Sequence, residues 1–184
     1  MGKRLASLLL KCGGWKSVGG LIPEKHAIVL EAPHTSIWDF WIGFLYYRAL
    51  GGRLSVMIKK ESFFFPVNLL LRAMGGFPID RSNPAATIHG IVRKMNESDK
   101  PLHLVMCPEG TRKAVHKWKT GYHTIATQAN LPVYLSYVDW GHKRVGIWGK
   151  AEITADARKD TDRIQQIYAG LELIAKHPEG YTTE

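Results

Sequence analysis

Five short apolar runs are separated by segments of helical length: AIVLE at 27–31, LSVMI at 54–58, FPID at 77–80, LHLVM at 102–106 and PVYLSYV at 132–138. Runs this short and this apolar suit strands buried on both faces, and parallel strands need crossover connections long enough to hold a helix. The alternation predicts an α/β architecture, a single domain with a mostly parallel central sheet flanked by helices. A length of 184 residues fits one such unit, with no internal repeat.

The connecting segments carry their own start and stop signals. Thr35 and Ser36 can cap a helix that is apolar on most sides through Tyr47 and stops at Gly51-Gly52. Asn83 followed by Pro84 has the form of an N-cap with proline in the first helical position, and Ile88, Ile91, Val92 and Met95 give that helix a buried face. A short helix is expected over 120–128 and a hairpin-like pair of strands around Gly141. A last helix over 161–176 would bury Ile164, Ile167, Tyr168, Leu171 and Ile174, with Pro178 beyond its end.

Residues 1–20 read as a short amphipathic segment ahead of the main domain at 21–184. Lys3, Arg4, Lys11 and Lys16 occur there with no acid, and Leu5, Leu8, Leu9, Cys12 and Trp15 recur at helical spacing. Two readings fit: a helix lying in a membrane interface, or a first helix docked on the core. The longest uninterrupted apolar run, 40–47, is far short of the ~18 residues expected of a spanning helix. A protein of the cytoplasm, held peripherally at the membrane's cytoplasmic face, is the expectation.

Lys and Arg number 25 against 16 Asp and Glu, a formal net charge of +9. That balance favours anionic partners: nucleic acid, phosphorylated small molecules, acidic carrier proteins or anionic lipid. Cys12 and Cys107 stand far apart without metal-ligand spacing, so neither a disulfide framework nor a metal site is expected.

Chemistry in open α/β sheets gathers just past the carboxyl ends of strands, and three such turns hold polar groups: PHTSIWD, PIDR and CPEGTR. With His34 in a loop and Asp39 one turn into a helix, the carboxylate can reach one imidazole nitrogen and leave the other as a general base. A His near an Asp is as readily a structural contact. Arg81 suits a phosphate or carboxylate, or an ordinary salt bridge with a neighbouring acid such as Glu109. In the third turn Gly110 admits close backbone approach, Thr111 can donate, and Arg112 supplies charge. Cys107 precedes that turn with no base beside it in sequence, and a buried thiol is commonly inert. His116 and His123, farther on, suit surface or structural roles.

The order HTSIWD, KKES with Pro66, GFPIDR, PEGTR and LPV resembles the glycerophospholipid acyltransferase family typified by lysophosphatidic acid acyltransferases. The resemblance covers about 27–138. It implies that family's single α/β domain over 21–184 and an O-acyltransferase activity. A fatty acyl group would pass from acyl-CoA or acyl-carrier protein to the hydroxyl of a phosphate-bearing, lysophosphatidate-like acceptor, with no cofactor beyond the donor and no metal. By the same resemblance His34 is the general base and Asp39 its partner. Arg81, Glu109, Gly110, Thr111 and Arg112 belong to the acceptor site, Lys59 or Lys60 adds charge near a phosphate, and Pro132 shapes the wall of the site or the acyl groove. Pro33, Cys107 and Lys113 depart from the Asn, Phe and Ser common at those places. Two other readings compete: a basic nucleic-acid-binding domain, for which no binding motif is present, and a lipid-binding module without catalysis, which the intact His/Asp pair and PEGTR turn disfavour.

Overall fold

A computed structural model describes residues 2–79 and 82–183. Its centre is a seven-stranded sheet: β1 (Lys16–Val18), β2 (His26–Glu31), β3 (Leu54–Lys59), β4 (Gly76–Ile79), β5 (Leu102–Met106), β6 (Val133–Asp139) and β7 (Arg144–Ala151). Across the sheet the order is β1-β7-β6-β2-β5-β3-β4. From β6 to β4 every pairing is parallel, whereas β7 pairs antiparallel to β6 and β1 runs parallel to β7. The predicted mixed α/β fold with a largely parallel sheet is the fold observed.

Alternation along the central strands builds the two layers. In β2, Ala27 and Val29 point to one side and Ile28 and Leu30 to the other, all essentially inaccessible to solvent. The first side is covered by α1 (Lys3–Cys12) and α2 (Ile37–Leu50) through Leu10, Tyr46 and Tyr47. The second is covered by α4 (Pro84–Glu97), α5 (Gly121–Gln128) and α6 (Ala157–Ala169) through Ile91, Met95, Tyr122, Ile125, Ile164 and Tyr168. The short helix α3 (Val67–Ala73) joins β3 to β4.

Local chemistry sets the helix ends. Asn83 Oδ1 accepts from the Ala86 amide with Pro84 opening α4, and α2 ends where Gly51 adopts φ 93°, a conformation glycine takes without Cβ strain. The last helix differs from expectation. It starts at Ala157, because Asp156 caps it by accepting from the Arg158 and Lys159 amides, and it stops before Gly170. Leu171 and Ile174 continue the apolar spacing in a non-helical tail, where Glu172 takes φ 48°.

Residues 2–20 are integrated into this unit. Ala6 and Leu10 of α1 are buried, Trp15 packs edge-on against Trp140 at 5.0 Å, and Lys16 pairs with Arg144 in the sheet. Leu5, Leu8 and Leu9, the more prominent part of the apolar stripe, remain about half exposed. α1 is therefore docked and apolar outward at once, so it has features of both readings of the sequence. None of the described helices is long and apolar enough to cross a membrane.

Candidate active site

Parallel strands deliver their carboxyl ends to one edge of the sheet. The turns after β2 and β5 lie side by side there because those strands pair directly, Leu30 opposite Met106. His34 leaves β2 by a three-residue extension, and PEGTR leaves β5.

Asp39 is built into the start of α2. Its Oδ2 accepts from the amides of Thr35 at 2.9 Å and Ser36 at 2.7 Å, while the Ser36 hydroxyl oxygen accepts from the Trp38 amide. Its Oδ1 accepts from the indole Nε1 of Trp140 at 2.7 Å. The carboxylate is 1% exposed, yet four polar groups surround it, counting His34 Nδ1 at 3.5 Å from Oδ2. That last separation is an ion-pair distance, longer than a full hydrogen bond. The His34 side chain is 21% exposed.

Glu109 ties the two turns together. Both its oxygens lie within hydrogen-bond reach of the His34 amide, at 3.2 and 3.0 Å, and the side chain is buried. Its carboxylate thus faces the backbone of the histidine loop, not solvent. Beyond it the chain turns outward: Gly110, at φ 68°, and Thr111 and Arg112 are exposed. A Cβ at Gly110 would stand 2.7 Å from the Lys119 side chain, so the turn and this lysine are in close register. Thr111 Oγ1 accepts from the Lys113 amide.

The electrostatics follow from burial. Burial disfavours the His34 imidazolium, but the Asp39 carboxylate, then the Cys107 thiol and the charge of Glu31, outweigh it and hold the imidazole pKa above its ordinary value. Burial pushes the Glu31 and Glu109 carboxyls up to about 7, with the nearby His34 pulling each back down. Cys107 lies against the same imidazole, and burial still takes its thiol up to about 11. A base has therefore been brought next to this cysteine from another strand, but at neutral pH the sulfur stays protonated and is no nucleophile.

Lys59 ends β3 and Lys60 opens a 3-10 turn; both are exposed on the same sheet edge, two strands from β2 and so roughly 10 Å away at ~4.8 Å per strand. Arg81 lies outside the described residues. Pro132 precedes β6, at the amino edge of the sheet, and its carbonyl accepts from the Ile28 amide, so it stands away from His34. The parallel register of β6 with β2 keeps it from forming a wall around His34, and the other expectation, a part in an acyl groove, is not tested by this position. His123 pairs with Asp160 at 3.2 Å in the other layer. Among the described residues no group of His, Cys, Asp and Glu is assembled as a metal site.

A profile of the acyltransferase family matches residues 18–137, the span that holds every motif above. The chain belongs to the acyltransferase family. It is 31% identical to a 1-acyl-sn-glycerol-3-phosphate acyltransferase of Limnanthes alba over 63% of this chain and 47% of that protein. It is 32% identical to a protein of the same name from Streptococcus pneumoniae, over 57% of this chain and 39% of that one. The chain thus spans less than half the length of these curated relatives. In fold it is similar to the crystal structure of the 1-acyl-sn-glycerophosphate acyltransferase PlsC from Thermotoga maritima, with a TM-score of 0.63 at 14% identity, over 95% of this chain and 79% of that one.

Three features of this candidate site were not visible as motifs. Trp140 donates to Asp39 from beyond the matched span, Glu31 is buried beside His34 with Oε1 unpartnered among the described residues, and Cys107 touches the imidazole. A polar residue ending an apolar strand was the available signal for Glu31. Nothing in the spacing marked Trp140.

Proposed function

We propose that the protein is an O-acyltransferase that moves a fatty acyl group from the thioester of acyl-CoA or acyl-carrier protein to the hydroxyl of a phosphate-bearing, lysophosphatidate-like lipid. One observation carries this: His34 is fixed by Asp39 on its ring and Glu109 on its amide, beside an exposed Gly-Thr-Arg turn. Asp39 faces Nδ1, which leaves Nε2 to take the acceptor's proton. As the hydroxyl oxygen bonds to the thioester carbon, its proton passes to Nε2 and the carbonyl becomes an oxyanion. Collapse breaks the carbon–sulfur bond, and the departing thiolate recovers the proton from the imidazolium. No acyl-enzyme forms. Turn amides and Arg112 would meet negative charge on the oxyanion or the acceptor phosphate, Lys59 and Lys60 add positive charge from the same sheet edge, and Arg81 is assigned to the acceptor from the sequence alone.

The same proposal includes a membrane partner. Leu5, Leu8 and Leu9 on α1, Ile37, Trp38 and Trp41 at the start of α2, and Phe64, Phe65, Leu69 and Leu70 around α3 are exposed, and Lys3, Arg4 and Lys11 flank the first group. This apolar set with basic neighbours suits an anionic lipid surface.

Thiol release from acyl-CoA in the presence of lysophosphatidate tests the activity, with lipid products identified. Wild-type protein should release thiol only when the acceptor is present; absence of product with lysophosphatidate and other lysolipids would overturn the proposal. Sedimentation with anionic vesicles at low and high salt tests the partner. Because Ala6, Leu10 and Trp15 are structural, the informative variant is Leu5→Glu with Leu8→Glu and Leu9→Glu, not removal of the segment.

A further inference from the structure

We infer that Trp140 is a positioning residue for the His34–Asp39 pair, fixing the Asp39 carboxylate so that Oδ2 is presented to His34; this rests on the proposal that His34 is the base. A carboxylate can rotate about its last side-chain bond, and three groups already converge on Oδ2: the Thr35 and Ser36 amides and His34 Nδ1. Oδ1 has one donor among the described residues, the Trp140 indole Nε1 at 2.7 Å. A short hydrogen bond to a buried anion is among the stronger ones, and without it Oδ1 would be an unsatisfied buried charge. The donor therefore decides whether the carboxylate keeps its orientation.

The indole is held in a manner suited to that task. Trp15 meets it edge-on at 5.0 Å and 85°, Lys176 and Lys143 set their ammonium groups 4.4 and 5.1 Å from its ring centre, and its own amide donates to the Ile174 carbonyl at 2.8 Å. Segments from the start of the chain, the β6–β7 turn and the tail after α6 thus converge on one ring, whose single side-chain polar atom points at Asp39. Lys143 and Lys176 are the charged groups facing this indole; Asp39, Glu31, Cys107 and Glu109 are the titratable groups facing His34. Of these, only Asp39 is touched by Trp140 among the described contacts.

Without that donor the carboxylate is free to turn, Oδ2 meets the imidazole less well, and the imidazolium loses support, so the His34 pKa falls toward its ordinary value. Turnover falls, while the KM of an acceptor that touches neither residue 140 nor its ring stays in place.

The test replaces Trp140 by Phe and, separately, by benzothienylalanine, in which sulfur takes the place of the indole N–H without changing the ring's shape. The His34 pKa is followed by NMR of its ring protons, a readout that needs no substrate, and kcat, KM and the pH profile are measured with acyl-CoA and lysophosphatidate. Both variants should lower the His34 pKa and lower kcat about tenfold, the loss expected for one charge-assisted hydrogen bond, with KM within about twofold. A His34 pKa that is unchanged or raised in the benzothienylalanine protein, wild-type kcat in it, or a loss confined to KM would overturn the assignment. Should His34→Ala retain full turnover, the general base is wrong, but the NMR titration still decides whether Trp140 orients the pair.

Discussion

Two His–Asp pairs among the described residues stand in opposite layers, His123–Asp160 and His34–Asp39, and the tighter of these two is not at the site. His123 of α5 meets Asp160 of α6 at 3.2 Å with its ring 6% exposed, whereas His34 and Asp39 are 3.5 Å apart with the ring 21% exposed. Asp160 is also held by the Thr154 amide and hydroxyl and by Arg163, which keep its charge stable against burial. His123 has its Nε2 committed to Asp160 and to the Thr154 carbonyl. The first pair locks two helices and a loop together. The second stands at the carboxyl edge of the sheet beside an exposed cationic turn, where a substrate can arrive. Proximity of a histidine to an acid is therefore a poor guide to catalysis; what the pair faces is the better one.

The contrast is broken most directly by removing each histidine. His34→Ala should lower kcat by about 10²–10⁴-fold and leave the thermal unfolding midpoint nearly unchanged. His123→Ala should do the reverse, costing about 2–4 kcal/mol of stability in denaturant titration, with kcat per folded molecule preserved. If the two variants had the same phenotype, the distinction between the pairs would be lost.

Asp39→Asn should lower kcat by about 10²-fold, since the favoured charge state of the imidazole goes with the carboxylate. The sign in pH is set by the same contact. Asp39 holds the His34 pKa up, so its loss should move the acidic limb of the pH–rate profile to lower pH; a limb that stayed in place would argue against the pairing.

Glu31 sharpens the comparison because it lies beside His34. Its pKa rises from 4.5 to about 7 on folding, so between those values the folded chain keeps a proton that the unfolded chain has released. Stability from this group is complete below about pH 4.5 and is lost as pH climbs through 7. Glu31→Gln should flatten that decline by about 2 kcal/mol between pH 5 and 8, read from denaturant midpoints at each pH. The smallest effect is expected at the exposed side: Arg112→Ala should raise the KM of a phosphate-bearing acceptor about tenfold, with less change for a neutral hydroxyl acceptor. Equal losses for both acceptors would point to a structural role.

Much of this was legible before any coordinates. Interior strands announce themselves because burial on both faces demands unbroken apolar runs, and the spacing of His34 and Asp39 placed one in a loop and the other in a helix, as found. β1 was not legible: KSV is three residues long, mostly exposed and edge-bound, so it needs no apolar signature. The frame of α6 was misplaced because Leu171 and Ile174 extend the helical spacing beyond Gly170, whereas the start is fixed by Asp156, a cap that an apolar pattern does not reveal. Glu109 was legible as part of the site, but its grip on the His34 amide was not, since that contact depends on β2 and β5 being neighbours.

The pairing of β1 with β7 also bears on the order in which the protein can be completed as it is made. Lys16 leaves the ribosome well before its partner Arg144, which follows only after β6. Such long-range pairing is slow to form because the intervening chain must first be ordered. Trp15 and Trp140, which flank these strands, can meet no sooner. A nascent chain can assemble the parallel strands from β2 to β6 while Asp39 still awaits its indole partner, so an interrupted synthesis yields a partly folded sheet without the finished His34–Asp39 support.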